Sequence, residues 1–370
     1  MDRQQIRRIL LKCSCLTPLL AGLLLYSLLP FFPSVAEVAF ARGLFRVLSM
    51  PMGVLVGVLP FSLTELLAVA FLPVLAGLIA VFIFKRRRSP APKKKAGRWL
   101  QRVGWVLSIG FLAYMLLHGA QFYRRPVGDL MDLPAADGRV TALYQAAVSY
   151  AKEAARLREG LPEDSDGCMT AATSAGELLS KAGEGYGVLE QRYPFLQGWV
   201  QRAKPVRLSH YWSYTGISGM YFPFLVEANV NVDMPDSAIP MTAAHELAHT
   251  RGFAREDECN FLGCLACFEH PDPTYQYSGY LEAFLLCARA LYQADQGLWE
   301  EAYDACSDGM HRDLRQRSDY WAAFEGAVET ASAAVNDGFI RAQGVPDGVE
   351  SYDRAVELLL RYHQQNADSI

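Results

Sequence analysis

Acidic residues are nearly missing from the first third of the chain. Residues 1–125 hold 3 Asp+Glu against 17 Lys+Arg, a net of +14. The remaining 245 residues hold 36 against 18, a net of −18. So uneven a division separates a basic, apolar part from an acidic one. Other absences narrow the chemistry. There is no Gly-rich phosphate loop, no dinucleotide fingerprint and no nucleophile elbow, so nucleotide-dependent and serine-hydrolase chemistries lack their usual signatures. A single CxxC occurs, Cys264-Leu265-Ala266-Cys267, with no second pair to complete a four-cysteine zinc site. It sits in an apolar helical run and reads as small core residues. The other cysteines imply no pairing that the sequence can define.

Long apolar runs fill the acid-poor part. Leu16–Phe32, Leu66–Phe84 and Val103–Ala120 are each about 17–20 residues, near the span length for a ~30 Å hydrocarbon core. Val35–Ser62 is apolar too, but broken by Glu37, Arg42, Arg46, Pro51, Gly53, Gly57 and Pro60. It reads as an interfacial helix or a re-entrant hairpin. No small-residue cleavage pattern follows the first run, and two more runs come after it, which argues against a signal peptide. The stretch Lys85-Arg86-Arg87-Arg88 with Lys93-Lys94-Lys95 separates the second and third runs. Basic loops stay cytoplasmic, and Arg3, Arg7, Arg8 and Lys12 agree. The expected organisation is an all-α membrane region, 1–122, with about three transmembrane helices and a basic cytoplasmic loop near 85–98. Residues 123–370 then form a domain outside the cytoplasmic membrane. The bilayer is one partner. Nucleic acid is not, because the basic run lacks interleaved aromatics and the outer domain is acidic.

The outer domain contains His245-Glu246-Leu247-Ala248-His249. Histidines four apart on a helix share one face and can reach one metal ion. Glu246 beside them can take a proton from metal-bound water. Pro240 suits the first turn of this helix, with Asp236 and Ser237 as possible caps. Gly252 suits its end, and a second helix is expected from Arg255 to about His270. On that helix Glu256 and Asn260 share a face, so Glu256 is the expected third ligand. Asn260 is placed to hydrogen-bond a ligating histidine. Glu258 is the alternative third ligand.

Glu256-x-x-Cys259-Asn260 resembles the downstream Glu-x-x-Ala-Asp or Glu-x-Glu-Ala-Asn motif of gluzincin peptidases. The run from His245 through Asn260 is also similar to an uncharacterised bacterial family of membrane-anchored HExxH proteins. That similarity extends to Pro60-Phe61-Ser62-Leu63, Glu227-Ala228-Asn229-Val230-Asn231, Tyr277-Ser278-Gly279-Tyr280 and Ser351-Tyr352. The resemblance implies a zincin-like domain. The chain departs from it twice. The gap from His249 to Glu256 is shorter than most gluzincins have. Gly252 fits HExxHxxGxxH, but the third histidine of that pattern is Arg255, which stays protonated and cannot ligate zinc.

The expected fold class is therefore α+β, a helix-dominated zincin-like domain after an all-α membrane region. Helices are expected at Ala142–Arg158, Ala171–Ala182, Gly187–Val200, Leu281–Gln293, Leu298–Ser307, Leu314–Asn336 and Gly348–His363. Arg207–Met234 is rich in Tyr, Phe and Val and suggests two or three strands. Phe222–Val232 is the candidate edge strand on which a peptide substrate would pair, with Glu227 and Asn229 sharing a face of it, either to bind substrate or to close backbone hydrogen bonds. Tyr277 or Tyr280, in a Tyr-Ser-Gly-Tyr loop, is a possible oxyanion donor, with packing the favoured role for each; His210 could do the same job but reads first as a surface or packing histidine. The functional expectation is a zinc metallopeptidase holding one zinc per chain and acting on peptide or protein substrates. A zinc-stabilised membrane sensor or assembly protein without turnover is the alternative.

Overall fold

The structure is a computed structural model that describes residues 14–87, 92–343 and 353–366. The expectations for Arg3, Arg7, Arg8, Lys12, Arg88 and Ser351-Tyr352 lie outside the described residues. Helices dominate, and three short strands form the one sheet among the described residues.

Four helical segments are long and apolar enough to cross a membrane: Ser14–Phe31, Pro33–Gly57, Leu63–Val81 and Gly97–Leu117. We number the principal helices from these. α1 is Thr17–Leu28, α2 is Pro33–Gly57, α3 is Leu63–Arg87 and α4 is Pro92–Leu117. The broken segment after the first run is thus one helix, not a hairpin. Its Pro51 is absorbed within the helix, and Ala36–Phe45 takes the wider π-helical winding.

α2 differs from the other three in what it touches. Arg46 donates to the carbonyls of Pro194 and Phe195 at 3.0 and 3.1 Å. A Cβ on Gly53 would lie 2.9 Å from Val200. Glu37 is buried and pairs with Arg124 at 2.8 Å, while Val38, Val47 and Leu55 on the same helix stay more than 60% exposed. One face therefore lies along the later domain, and the other presents apolar side chains outward.

That domain begins with α5 (Val140–Arg158), whose buried Leu143, Ala146, Ala147, Tyr150 and Ala154 repeat at helical spacing. α6 (Glu184–Arg192) follows. The sheet has the order β1-β3-β2, with β1 Lys204–Val206, β2 Gly219–Phe222 and β3 Glu227–Asn231. β3 pairs parallel to β1 and antiparallel to β2, and all five of its residues are buried. This corrects the expected edge. β3 is the central strand, and the edge beside the HExxH helix is β2. β1, a Lys-Pro-Val triplet, is too short to give a periodic signal.

α7 (Ile239–Thr250) carries the HExxH motif and α8 (Glu256–Phe268) packs across it. Asp236 does not cap α7, because its carboxylate accepts from Thr170 and Ala171 instead. Gly252 has φ 81°, the left-handed backbone that ends such a helix at low cost for glycine. Gly263 lets the two helices approach, since a Cβ there would lie 3.1 Å from the His245 amide nitrogen.

α9 (Pro273–Ala294) begins eight residues before the expected Leu281. Tyr277-Ser278-Gly279-Tyr280 is helix, not loop. Gly279 serves close packing there: a Cβ would lie 2.4 Å from Cys267. Ser278 accepts from the Met241 amide and donates to Ser237, pinning the start of α7. Cys264 and Cys267 are fully buried core residues. α10 (Gln296–Tyr303) follows, and the expected Leu314–Asn336 helix is two, α11 (Asp308–Ala322) and α12 (Ala327–Ala342), before α13 (Asp353–Gln365).

Candidate metal centre

His245 and His249 project from α7 toward Glu256 at the first turn of α8. His245 Nε2 lies 3.1 Å from Glu256 Oε2, and His249 Nε2 lies 3.7 Å from Glu256 Oε1. The other ring nitrogens are engaged elsewhere. His245 Nδ1 is 2.7 Å from Asn260 Oδ1, and His249 Nδ1 is 2.9 Å from the Phe253 carbonyl. Each ring is thereby held with Nδ1 as the proton-bearing nitrogen and Nε2 turned inward. One donor atom from each of the three residues falls within 4.8 Å of the others. Ligands about 2.1 Å from a tetrahedral zinc sit roughly 3.4 Å apart. The observed 3.1 and 3.7 Å bracket that figure. The donor chemistry, two imidazoles and a carboxylate, also suits zinc. On geometry and chemistry these residues fit the ion.

Glu258 points away. Its carboxylate accepts from the Val127 amide at 2.7 Å and from Arg255 at 2.5 Å. The structure thus groups Glu256, and not Glu258, with the histidines.

Electrostatics in the triad are those of a tight ion pair. Burial pulls the His245 imidazole down, but the Glu256 carboxylate outweighs it and holds the ring at about 9. Burial pushes Glu256 up, but His249 and His245 outweigh it and hold the carboxyl at about 2. Burial leaves His249 below its ordinary value.

Glu246 is buried beside this group. Burial raises its carboxyl to about 8, and Oε2 has no protein partner. Gly219, the first residue of edge strand β2, faces it so closely that a Cβ would lie 2.4 Å from Oε1.

Of the other expected residues, none of the tyrosines reaches this cluster. The Tyr277 hydroxyl donates to Asp313 at 2.5 Å, in a buried network with Arg158. Tyr280 stacks on Phe268 with ring centres 4.1 Å apart. His210 is an exposed partner of Asp233. Glu227 and Asn229 do not face a substrate groove either. Glu227 accepts from the backbone amides of Leu63 and Thr64 at 3.0 and 2.7 Å, and Asn229 accepts from Ser62 at 2.5 Å. They fasten the start of α3.

Two aromatic residues that spacing could not find adjoin the triad. Tyr221 of β2 stacks on His249 at 5.7 Å, its hydroxyl buried and without a protein partner. His118, directly after the apolar stretch Gly97–Leu117, lies 5.5 Å from Tyr221 and 6.0 Å from His249 between ring centres. Only a histidine 127 positions upstream at the end of an apolar run hints at this in sequence.

Fold and cluster together define a helix-rich protein with candidate membrane helices and a partly buried His–His–Glu group that could hold a metal ion. The chain belongs to the family described as Protein of unknown function (DUF3810), whose model matches residues 40–360. No curated protein matches the chain, and no solved structure matches it.

Proposed function

We propose that this protein is a membrane-anchored zinc metallopeptidase of zincin-like, gluzincin-related type, acting outside the cytoplasm. The observation that carries the reading is the pairing of the triad with a base that is not part of it. Glu246 is buried next to His245 and Glu256 yet bonded to neither, which a purely structural site would not need. A zinc ion bound at His245, His249 and Glu256 would lower the pKa of its water and polarise a carbonyl. Glu246 takes a proton from the attacking water. The water oxygen bonds to the peptide carbonyl carbon, the C–N bond breaks, and Glu246 delivers the proton to the leaving nitrogen. Tyr221, whose ring stacks on His249 and whose hydroxyl has no protein partner, takes the place of the tyrosines considered as oxyanion donors.

For topology we propose three spans, α1, α3 and α4, with α2 lying in the interface. The contacts of α2 with the later domain from Glu37 to Gly57 favour this over a fourth span. It also leaves the N-terminus and the basic loop on one side, as the positive-inside rule asks.

The test is metal analysis and peptide hydrolysis on the purified full chain. One zinc per chain is expected, lost in the His245→Ala/His249→Ala double variant. Glu246→Gln should keep the zinc while hydrolysis drops roughly 10²–10⁴-fold. Zinc retained by the double variant removes the site. Zinc without hydrolysis in wild type and Glu246→Gln alike favours a zinc-stabilised sensor.

A further inference from the structure

From the placement of this centre we infer its substrate class: peptide bonds in the few residues that flank a membrane-embedded segment of another protein. The inference takes its chemistry from the peptidase reading but its location from contacts that stand without it.

Three apolar helices meet the centre or the strand beside it. His118 follows the stretch Gly97–Leu117 with no intervening residue and packs on His249 and Tyr221. Arg124, five residues after the start of the next turn at Gly119, donates at 2.6 Å to the carbonyl of Gly252, which closes the HExxH helix. The same guanidinium is paired with Glu37 of α2, and Phe45 of α2 touches Gly252. α3 reaches the site through the sheet. Its first amides are held by Glu227, and Glu227 is the register partner of Phe222, the last residue of β2.

β2 therefore connects two landmarks. At Gly219 it abuts Glu246, and at Phe222 it is paired with the residue that holds the start of a candidate span. Three residue steps of strand cover ~10 Å. An extended peptide added along this edge would leave the reacting position ~10 Å from the membrane end of the strand. That distance corresponds to about three extended residues. Substrates that can reach are stalks next to a span, whose own membrane segment lies beside α3 and the apolar face of α2. Free peptides gain nothing from that arrangement, whereas tethering in the bilayer raises the effective concentration at β2.

The experiment uses the full chain in liposomes with single-span peptides made of an apolar helix of about 20 residues and a polar tail. A photoreactive residue is placed in the tail about 3, 6, 12 or 25 residues from the span, distances scaled to the extended rise. Crosslinking to Glu246→Gln protein is read by mass spectrometry, and cleavage by wild type is read in parallel. Crosslinks on β2 peaking at the two shorter distances, several-fold above an unanchored tail of the same sequence, support the inference. Equal yield at all distances, or a better yield with the unanchored tail, overturns it. If wild type cleaves the unanchored tail as fast as the short-spaced one, the inference fails and the peptidase reading stands. If the short-spaced peptide crosslinks but is never cut, the location stands and the peptidase reading fails.

Discussion

Replacing Gly219 by alanine separates Glu246, the proposed proton-transfer group, from the proposed metal ligands. The new Cβ would sit 2.4 Å from Glu246 Oε1, 2.8 Å from Cγ and 2.9 Å from Cδ. Ordinary carbon contacts lie near 3.5–4.0 Å, so the carboxylate must retreat by about 1 Å. Glu246 is buried on α7 and cannot simply swing into solvent. A misplacement of about 1 Å in a reacting group costs on the order of 10²-fold in rate. Crowding one methyl into a buried site costs about 1–3 kcal/mol in stability. The His245–Glu256 and His249–Glu256 contacts do not involve Gly219, so metal retention should be unchanged. The assay pairs zinc content with hydrolysis of short-spaced anchored peptides, with unfolding temperature as control. Wild-type hydrolysis by Gly219→Ala would refute the role given to Glu246. Loss of zinc in parallel with rate would place the damage in the triad and refute the separation of base from ligands.

Glu256→Gln should weaken zinc retention, whereas Glu258→Gln should spare it and lower the unfolding temperature, because Glu258 holds Val127 and Arg255; equilibrium dialysis of both variants checks this, and the reverse order would overturn the assignment. Metal-free protein should lose stability as pH rises from about 6.5 to 9. His245, raised from 6.5 to about 9, contributes fully below its unfolded value and loses that contribution as pH climbs through 9. Glu246, raised from 4.5 to about 8, adds a loss that begins at about 4.5 and is complete above about 8, because its charged form is buried. Urea unfolding after chelation tests the sign, and a flat profile would refute it. A reporter active only in the cytoplasm should work when fused at Pro90 and fail at the C-terminus; the opposite pair would invert the proposed topology.

The grouping of His245, His249 and Glu256 is legible in the sequence because its logic is local. HExxH and Glu256-x-x-x-Asn260 are one-turn spacings on single helices, and Gly252 between them is a backbone requirement. Tyr277 and Tyr280 pack, the role the sequence favours for them, but their placement in a loop fails because Gly279 looks like loop punctuation. Its real role, contact with Cys267, depends on a neighbouring helix that no local pattern encodes. The substrate reading of Glu227 and Asn229 fails for a related reason, while its alternative, closing backbone hydrogen bonds, holds for Glu227. Polar residues alternating on a strand suggest an exposed face, but here their partners are Ser62, Leu63 and Thr64, more than 160 positions away. His118 and β1 went unseen because packing, not spacing, places them.

The turn between α2 and α3 is held by two opposite charges of the sheet. Lys204 donates to the carbonyls of Val56, Gly57 and Leu59 where α2 ends, and Glu227 takes the amides where α3 starts. Each charge sits at the helix end whose dipole favours it. Both side chains are almost wholly enclosed. Removing residues 1–122 would strip both of their partners and open to water two charges that the intact chain keeps enclosed. The α2–α3 turn and the sheet are therefore parts of one folded unit, not a stalk and a detachable head.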